Sequence, residues 1–576
     1  MLTIQVHRAG RQNRGYPRRN LDPTVARNGS RPVDGTRERK VAVSLFILLL
    51  AFYLLFASLR IDSGDGTTMY QVSFALVTGR GLAIPVEPAT DDVFGPWGEV
   101  VPVEALKGGD GFGMWGVDGR YYAKYGLGWP LVAAPLCALG RTLAPLLSGV
   151  LDEGFVMQAA VMLLNPILTA AAGALLFRLA CRFYSVPLAA TLTILYGLGT
   201  IAWYYAQSAF SEPPVTLLLL AALYAVALSD GVEYGRLVAA GAALGGAILT
   251  RQIALLATIP VLVWALMRAR RAGPSRLFKS AVALLAPVMF GQLIVLCYNV
   301  YRFDDPLEYG YWRAGWNTPI LLGLYSQLLS SGKGLFIFMP MLLLGVWGWP
   351  MLWRRQRDWA WLMLALIAFQ LIPYAIYEDW AGGGGWGPRL LLPMVPFVLL
   401  PAGEVIQRWQ TRQVGQIVLA LLVTLSLLIQ VLGVSVNWAR HLQRVMDDSE
   451  TSMEYFQRVH YRWADSPILG QVRSLQEAMA LLRNPNSRAA LESLADSARA
   501  SFPSDWQGET MGLLSFNVFD FWFVYLWFLG LPAGWLAIAV LALAGVAAGA
   551  ALQLRRALAQ DWPDGYGSVL KQGGEL

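Results

Sequence analysis

From residue 41 onward the chain alternates apolar runs of about 20 residues with short polar segments. Coiled as helix, such a run crosses the roughly 30 Å hydrocarbon layer of a bilayer. Strands of a membrane barrel would instead alternate polarity over about ten residues. The pattern therefore predicts an all-α polytopic membrane protein. Spans are expected over 41–60, 154–180, 186–205, 212–229, 236–249, 253–268, 279–301, 334–353, 358–377, 390–407, 414–436 and within 520–553, about twelve in all. The run 128–147 is the exception. It contains Pro130, Pro135, Arg141 and Pro145, and counting it as a span would turn the Arg178 and Arg182 end of the next helix outward. It is expected to lie as an interfacial or re-entrant helix.

With that alternation, most basic clusters fall on one side: Arg37 to Lys40, Arg178 and Arg182, Arg268 to Arg271, Arg354 to Arg357, Arg408 and Arg412, and Arg555 and Arg556. Positive ends face the cytoplasm, so both termini are expected there. Residues 1–40, polar and rich in Arg, Gly and Pro, read as a disordered basic cytoplasmic tail. Residues 41–436 form the membrane core, with 61–127 as its first outer loop. In that loop Met69 to Val77 reads as an interfacial amphipathic helix. Residues 437–518 are a polar, largely helical outer segment, 519–556 hold the last span, and 557–576 are a cytoplasmic tail.

Composition supports this class. The chain is 56% hydrophobic and 14% charged, with mean hydropathy +0.46, whereas soluble domains carry about 25% charged residues. The net charge of +7 sits in clusters at the ends of apolar runs, so it sets orientation and does not imply a nucleic-acid partner. Cys137, Cys181 and Cys297 lie in or beside apolar segments, and His7, His441 and His460 are scattered. Neither set makes a disulfide framework or a metal spacing. The acid pairs Asp91-Asp92 and Asp304-Asp305 invite a metal, but the second precedes Pro306 and is ordinary turn chemistry. No cofactor is expected.

The same map gathers many ionisable residues on the outer face, at the ends of different spans: Asp62, Asp65, Lys124, Glu212, Arg251, Arg302, Asp304, Asp305, Lys333, Glu378, Asp379 and Arg389. Charged groups at a membrane border are costly to desolvate and point to function. Local motifs accompany them. An acid, Asp65, follows the first helix, and Asp118-Gly-Arg-Tyr-Tyr-Ala-Lys-Tyr-Gly-Leu-Gly-Trp-Pro130 precedes the interfacial run. Further on come Ser211-Glu-Pro213, Leu249-Thr-Arg-Gln252, Gly334-Leu-Phe-Ile-Phe-Met-Pro340 and Trp380-Ala-Gly-Gly-Gly-Gly-Trp-Gly-Pro-Arg389. In this order and placement, across residues 41–440, the set resembles the GT-C superfamily of polyprenyl-phosphate-dependent glycosyltransferases. The nearest branch holds the protein O-mannosyltransferases and aminoarabinose transferases. Where several relatives have two adjacent acids, Asp65 is followed by Gly66.

The resemblance implies a GT-C-like bundle with interfacial helices in its first outer loop. It also implies an inverting transfer of sugar from a polyprenyl-phosphate donor to an acceptor hydroxyl. That acceptor would be an envelope glycan, lipid or protein at the outer face of a bacterial plasma membrane. A carboxylate must take the hydroxyl proton, and Asp65 is the candidate base, with Asp62 as support or alternative. Ser63 or Asp65 is equally suited to cap the helix that follows. Cations should face the leaving phosphate, which nominates Arg389 after its glycine turn, Lys333 and Arg251. Glu212 is suited to holding sugar hydroxyls or Arg251, and Lys124 and Tyr70 complete the sugar and acceptor candidates. A transporter or flippase of a lipid-linked sugar, or a non-catalytic envelope-assembly protein, are the alternatives. The chain shows no repeated halves, and its charges gather at one face, away from the midplane.

Overall fold

The computed structural model describes residues 35–84, 92–94, 100–102, 112–148, 150–229, 233–270, 273–311, 315–501 and 506–559. Among these, seven helices are long and apolar enough to cross a membrane: Gly128–Leu147, Glu153–Ala180, Gln252–Ala269, Pro274–Phe303, Arg357–Ile376, Gln413–Ser435 and Ala533–Ala559. Arg389–Leu399 and Ala402–Trp409, bent by 48° to each other, make an eighth if the pair is one span. The expected twelve are thus not matched one for one. Val186–Gly199, Glu212–Leu228 and Tyr234–Thr250 are apolar but only 14, 17 and 17 residues long. At about 1.5 Å per residue, 14 residues rise only ~21 Å. The run predicted over 334–353 is interrupted around Pro340 into Leu335–Phe338 and Leu342–Arg355. Gly128–Leu147, expected to be interfacial, is an unbroken helix of spanning length. Gly140 lets it lie against Met157 of Glu153–Val161, while Leu131, Leu139 and Leu146 on its other side are exposed.

The first helix, Gly35–Leu55, starts before the predicted boundary, so residues 35–40 are helical where disorder was expected. Residues 1–34 and 560–576 lie outside the described residues. Arg37 explains the early start in part. Its Nε donates to the Ala557 carbonyl at 2.8 Å, satisfying a carbonyl near the end of Ala533–Ala559. At the other end, the Trp522 amide donates to the Ala57 carbonyl at 2.8 Å. The first helix and the closing helix therefore run antiparallel, and both terminal ends lie together.

Two short antiparallel hairpins interrupt the all-α expectation in the first outer loop. Asp92–Phe94 pairs with Val100–Pro102, and Gly113–Trp115 with Tyr121–Ala123. The second turns at Gly119, whose φ of +75° suits glycine, and its strands hold the aromatic residues favoured on a pleated surface. Arg302 is buried beneath it and donates to the Ala123 carbonyl and, at 2.7 Å, to Asn299 Oδ1. Asp304 takes the left-handed position ending Pro274–Phe303, and Asp305 Oδ1 accepts from the Leu307 amide at 2.8 Å. These three charges serve the turn. Among the described residues of 437–518, the stretch expected to lie outside, the helices are Ala439–Asp447, Ser452–Tyr461, Pro467–Arg483, Pro485–Glu492, Leu494–Ser501 and Trp506–Ser515.

Candidate active site

The polar exit of the first helix leads into Gly64–Val77. Ser63, in extended backbone, is the cap, its Oγ accepting from the Gly66 amide at 3.1 Å. Asp65 is thereby released from capping. Its Oδ2 lies 2.7 Å from Arg389 Nη1. The flanking glycines set this placement, because a Cβ on Gly66 would lie 2.8 Å from that of Ala209, and one on Gly64 would enter the Phe112 ring.

Arg389 follows the glycine turn after Arg357–Ile376. Gly382, Gly383 and Gly387 have φ of +65°, +64° and +64°, conformations that L side chains rarely adopt. The chain then enters a tight 3₁₀ turn, Arg389–Met394. The Arg389 guanidinium sits 4.4 Å from the centroid of the Phe210 ring and 3.9 Å from Glu212 Oε1. Glu212, fully buried at the start of Glu212–Leu228, also pairs with Arg251 at the end of Tyr234–Thr250, and Arg251 reaches Ser211 Oγ at 3.4 Å. Four helix ends thus bring charges of alternating sign together: Asp65, Arg389, Glu212, Arg251. Arg389 Nε and Glu212 Oε2 are buried with no hydrogen-bond partner among the described residues. Buried polar atoms are rarely left so, and these two leave donor and acceptor capacity for a polar ligand.

The two acids of the opening stretch differ. Burial alone would raise the Asp65 carboxyl, but the charge of Arg389, followed by Lys124, outweighs it and holds the group at about 2. Burial lifts Asp62 above the usual carboxylate range, only partly offset by Arg60. Tyr204 donates to Asp62 Oδ2 at 3.4 Å, while Oδ1 is buried with no hydrogen-bond partner among the described residues. Arg60 is held by Asp520 through bonds of 3.2 and 3.0 Å, and Asp520 also accepts from Tyr525 at 2.5 Å.

Asp62, Asp65 and Arg389 line one side of a cavity of about 240 Å³, and Trp438, Met446 and Phe516 of the outer segment and its flank line the other. A second hollow of about 560 Å³, walled by Leu255, Leu307, Tyr309, Trp316 and Tyr377, has Arg251 on its rim. The charge array contributes Asp65 and Arg389 to the first cavity and Arg251 to the second.

The remaining candidates fall differently. Lys333 was nominated for phosphate; its Nζ donates to the carbonyls of Gly385 at 2.7 Å and Gly383 at 3.1 Å. Lys124 lies over the rings of Tyr311 at 5.2 Å and Tyr125 at 5.3 Å, close enough for its charge to act on Asp65. Tyr70 is partly buried against the hydrophobic cluster under Gly64–Val77, its ring centroid 6.4 Å from that of Phe74, and is not among the residues lining the cavity. Tyr125, Asp520 and Trp438 were missed. Tyr125 stands beside the quoted Lys124, whereas Asp520 lies 460 positions from its partner Arg60, a distance across which local patterns carry no signal. Among the described residues no group of three or more His, Cys, Asp and Glu is placed to hold a metal. Asp91 lies outside them.

No protein-family model and no curated protein matches the chain. Among solved structures it is similar to ArnT from Cupriavidus metallidurans bound to undecaprenyl phosphate, at 14% identity and TM-score 0.39, covering 77% of this chain and 80% of that one. The apo state of the same protein gives 16% and 0.41, with 85% and 75% covered. The apo oligosaccharyltransferase of Archaeoglobus fulgidus gives 11% and 0.38, with 75% and 60% covered.

Proposed function

We propose that the protein is an inverting membrane glycosyltransferase that moves a sugar from a polyprenyl-phosphate donor to an acceptor hydroxyl at the outer face of a bacterial plasma membrane. The observation that carries this reading is the array Asp65, Arg389, Glu212 and Arg251, with hydrogen-bonding capacity left open, Asp65 and Arg389 lining one cavity and Arg251 lining a second beside Leu255, Leu307 and Trp316. A lipid-linked sugar phosphate has matching parts: a polar sugar, an anionic phosphate and a long apolar tail.

The acceptor oxygen attacks the anomeric carbon from the face opposite the phosphate, and its proton passes to Asp65. The bond from that carbon to the phosphate oxygen breaks, and the electron pair leaves with the phosphate. Arg389 and Arg251 stabilise the developing charge, where preorganised cations are worth most. Glu212 holds the two guanidiniums in place and neutralises their mutual repulsion before the donor arrives. The isoprenoid lies along the hollow of Leu255, Leu307 and Trp316. Residues 437–518 close the cavity from outside and contact the acceptor, which is an envelope glycan, lipid or protein.

The test is transfer in vitro from a panel of polyprenyl-phosphate sugars, using membranes from a strain lacking the endogenous protein. At least one donor should yield an inverted glycoside with release of polyprenyl phosphate. Movement of an intact lipid-linked sugar across the membrane, with no transfer, would instead favour a flippase.

A further inference from the structure

We propose that Lys333 is a positioning residue, which fixes the glycine turn 382–387 and through it Arg389, without touching the donor. The inference rests on the transferase reading. Its ammonium is shared between two carbonyls of the turn, Gly385 at 2.7 Å and Gly383 at 3.1 Å, and the side chain is buried. A turn so rich in glycine has few side chains to hold its own shape and loses much conformational freedom on ordering. Fixing it therefore falls to neighbours. Tyr205 donates to the Trp386 carbonyl at 3.0 Å from one side, and Lys333 holds the turn from the other.

The backbone around Lys333 is itself anchored to the outer segment. The Gly332 amide donates to the His460 carbonyl at 3.1 Å, and Ser466 Oγ donates to the Ser331 carbonyl at 3.0 Å. Gly384, between the two braced carbonyls, abuts the Trp438 ring in the same cavity wall. The lysine thus links the outer segment, which meets the acceptor, to the arginine that meets the phosphate.

The brace also responds to pH. The charged and titratable groups facing Lys333 are Arg389, Asp379 and His460. Burial, reinforced by Arg389 and partly offset by Asp379, brings the ammonium down to about 7. Burial and then Lys333 bring His460 down to about 3, so the imidazole is neutral throughout the working range. As pH rises through about 7, the ammonium becomes an amine and its grip on the two carbonyls weakens.

The experiment compares wild type, Lys333→Met and Lys333→Arg as full-length protein in detergent, by amide hydrogen exchange of the peptide covering 381–388 and by binding of undecaprenyl phosphate. The account expects faster exchange of that peptide in unliganded Lys333→Met, phosphate binding weakened about tenfold or more, and partial rescue of both by Lys333→Arg. The protection of that peptide, its exchange normalised to the base-catalysed intrinsic rate, should fall above pH 7 in the wild type and stay level in Lys333→Arg. Unchanged exchange in unliganded Lys333→Met would overturn the inference and make Lys333 a direct phosphate ligand or a bystander. Because exchange is read without turnover, that outcome is distinct from failure of the transferase reading, which shows as absence of sugar transfer by the wild type.

Discussion

Asp65 Oδ2 and Arg389 Nη1 lie 2.7 Å apart, although 324 positions separate them in the chain. In the unliganded protein the proposed base is therefore neutralised by the proposed phosphate ligand. An arriving phosphate competes for the same guanidinium. Capture of Arg389 by the donor loosens its hold on Asp65 and leaves the carboxylate free to accept a proton.

Arg389→Ala should lower kcat by about 10²–10³, the usual cost of losing one preorganised charge-stabilising donor. Arg389→Lys should recover part of that loss, since it retains the charge but cannot grip phosphate bidentately. Steady-state transfer assays of both variants check this. Equal activity of wild type and alanine variant would remove Arg389 from the reaction.

The Asp65 carboxyl sits at about 2 when folded, below its ordinary value. A group depressed by folding contributes stability that is fully present above its unfolded value and is lost as pH falls through its folded value. The loss should therefore develop from about pH 4 down to about pH 2. Thermal unfolding followed across this range should show a steeper decline in wild type than in Asp65→Asn, which has no carboxyl to protonate. Parallel curves would mean that the pair contributes nothing to folding.

Arg60 and Asp520 form a mostly buried pair with contacts of 3.2 and 3.0 Å, supported by Tyr525. Asp520→Ala leaves the Arg60 charge buried without compensation and should destabilise by about 3–5 kcal/mol. Replacing both, as Arg60→Met with Asp520→Leu, should recover most of the loss, because the desolvation cost disappears with the charges. Unfolding midpoints of the single and double variants measure the difference.

Much of this was legible in the sequence, because membrane insertion writes itself locally. The 3.6-residue coil must satisfy its own backbone in lipid, so apolar run lengths expose helices. Asp65, Glu212, Arg251 and Arg389 each stand at the polar end of such a run, which is why they could be nominated. Run length failed where tertiary packing shortened or broke a helix. Val186–Gly199 ends before the predicted limit of 205, and Pro340 lies at the interruption in the run from 334 to 353. Side-chain direction was equally hidden. Lys333 stands at the expected helix end, yet its ammonium is directed to the carbonyls of Gly383 and Gly385, and Tyr70 faces the core from a helix whose first turn carries Asp65. For Lys333 the choice depends on neighbours 50 and 52 positions away, beyond the reach of a local pattern.

The most direct measurement is single-turnover transfer by Asp65→Asn, with binding of the polyprenyl-phosphate donor measured on the same sample. The rate should fall by about 10²–10⁴, the range of a general base, while donor affinity is kept or increased because Arg389 loses its competing partner. Transfer at the wild-type rate, with the donor bound as before, would contradict it.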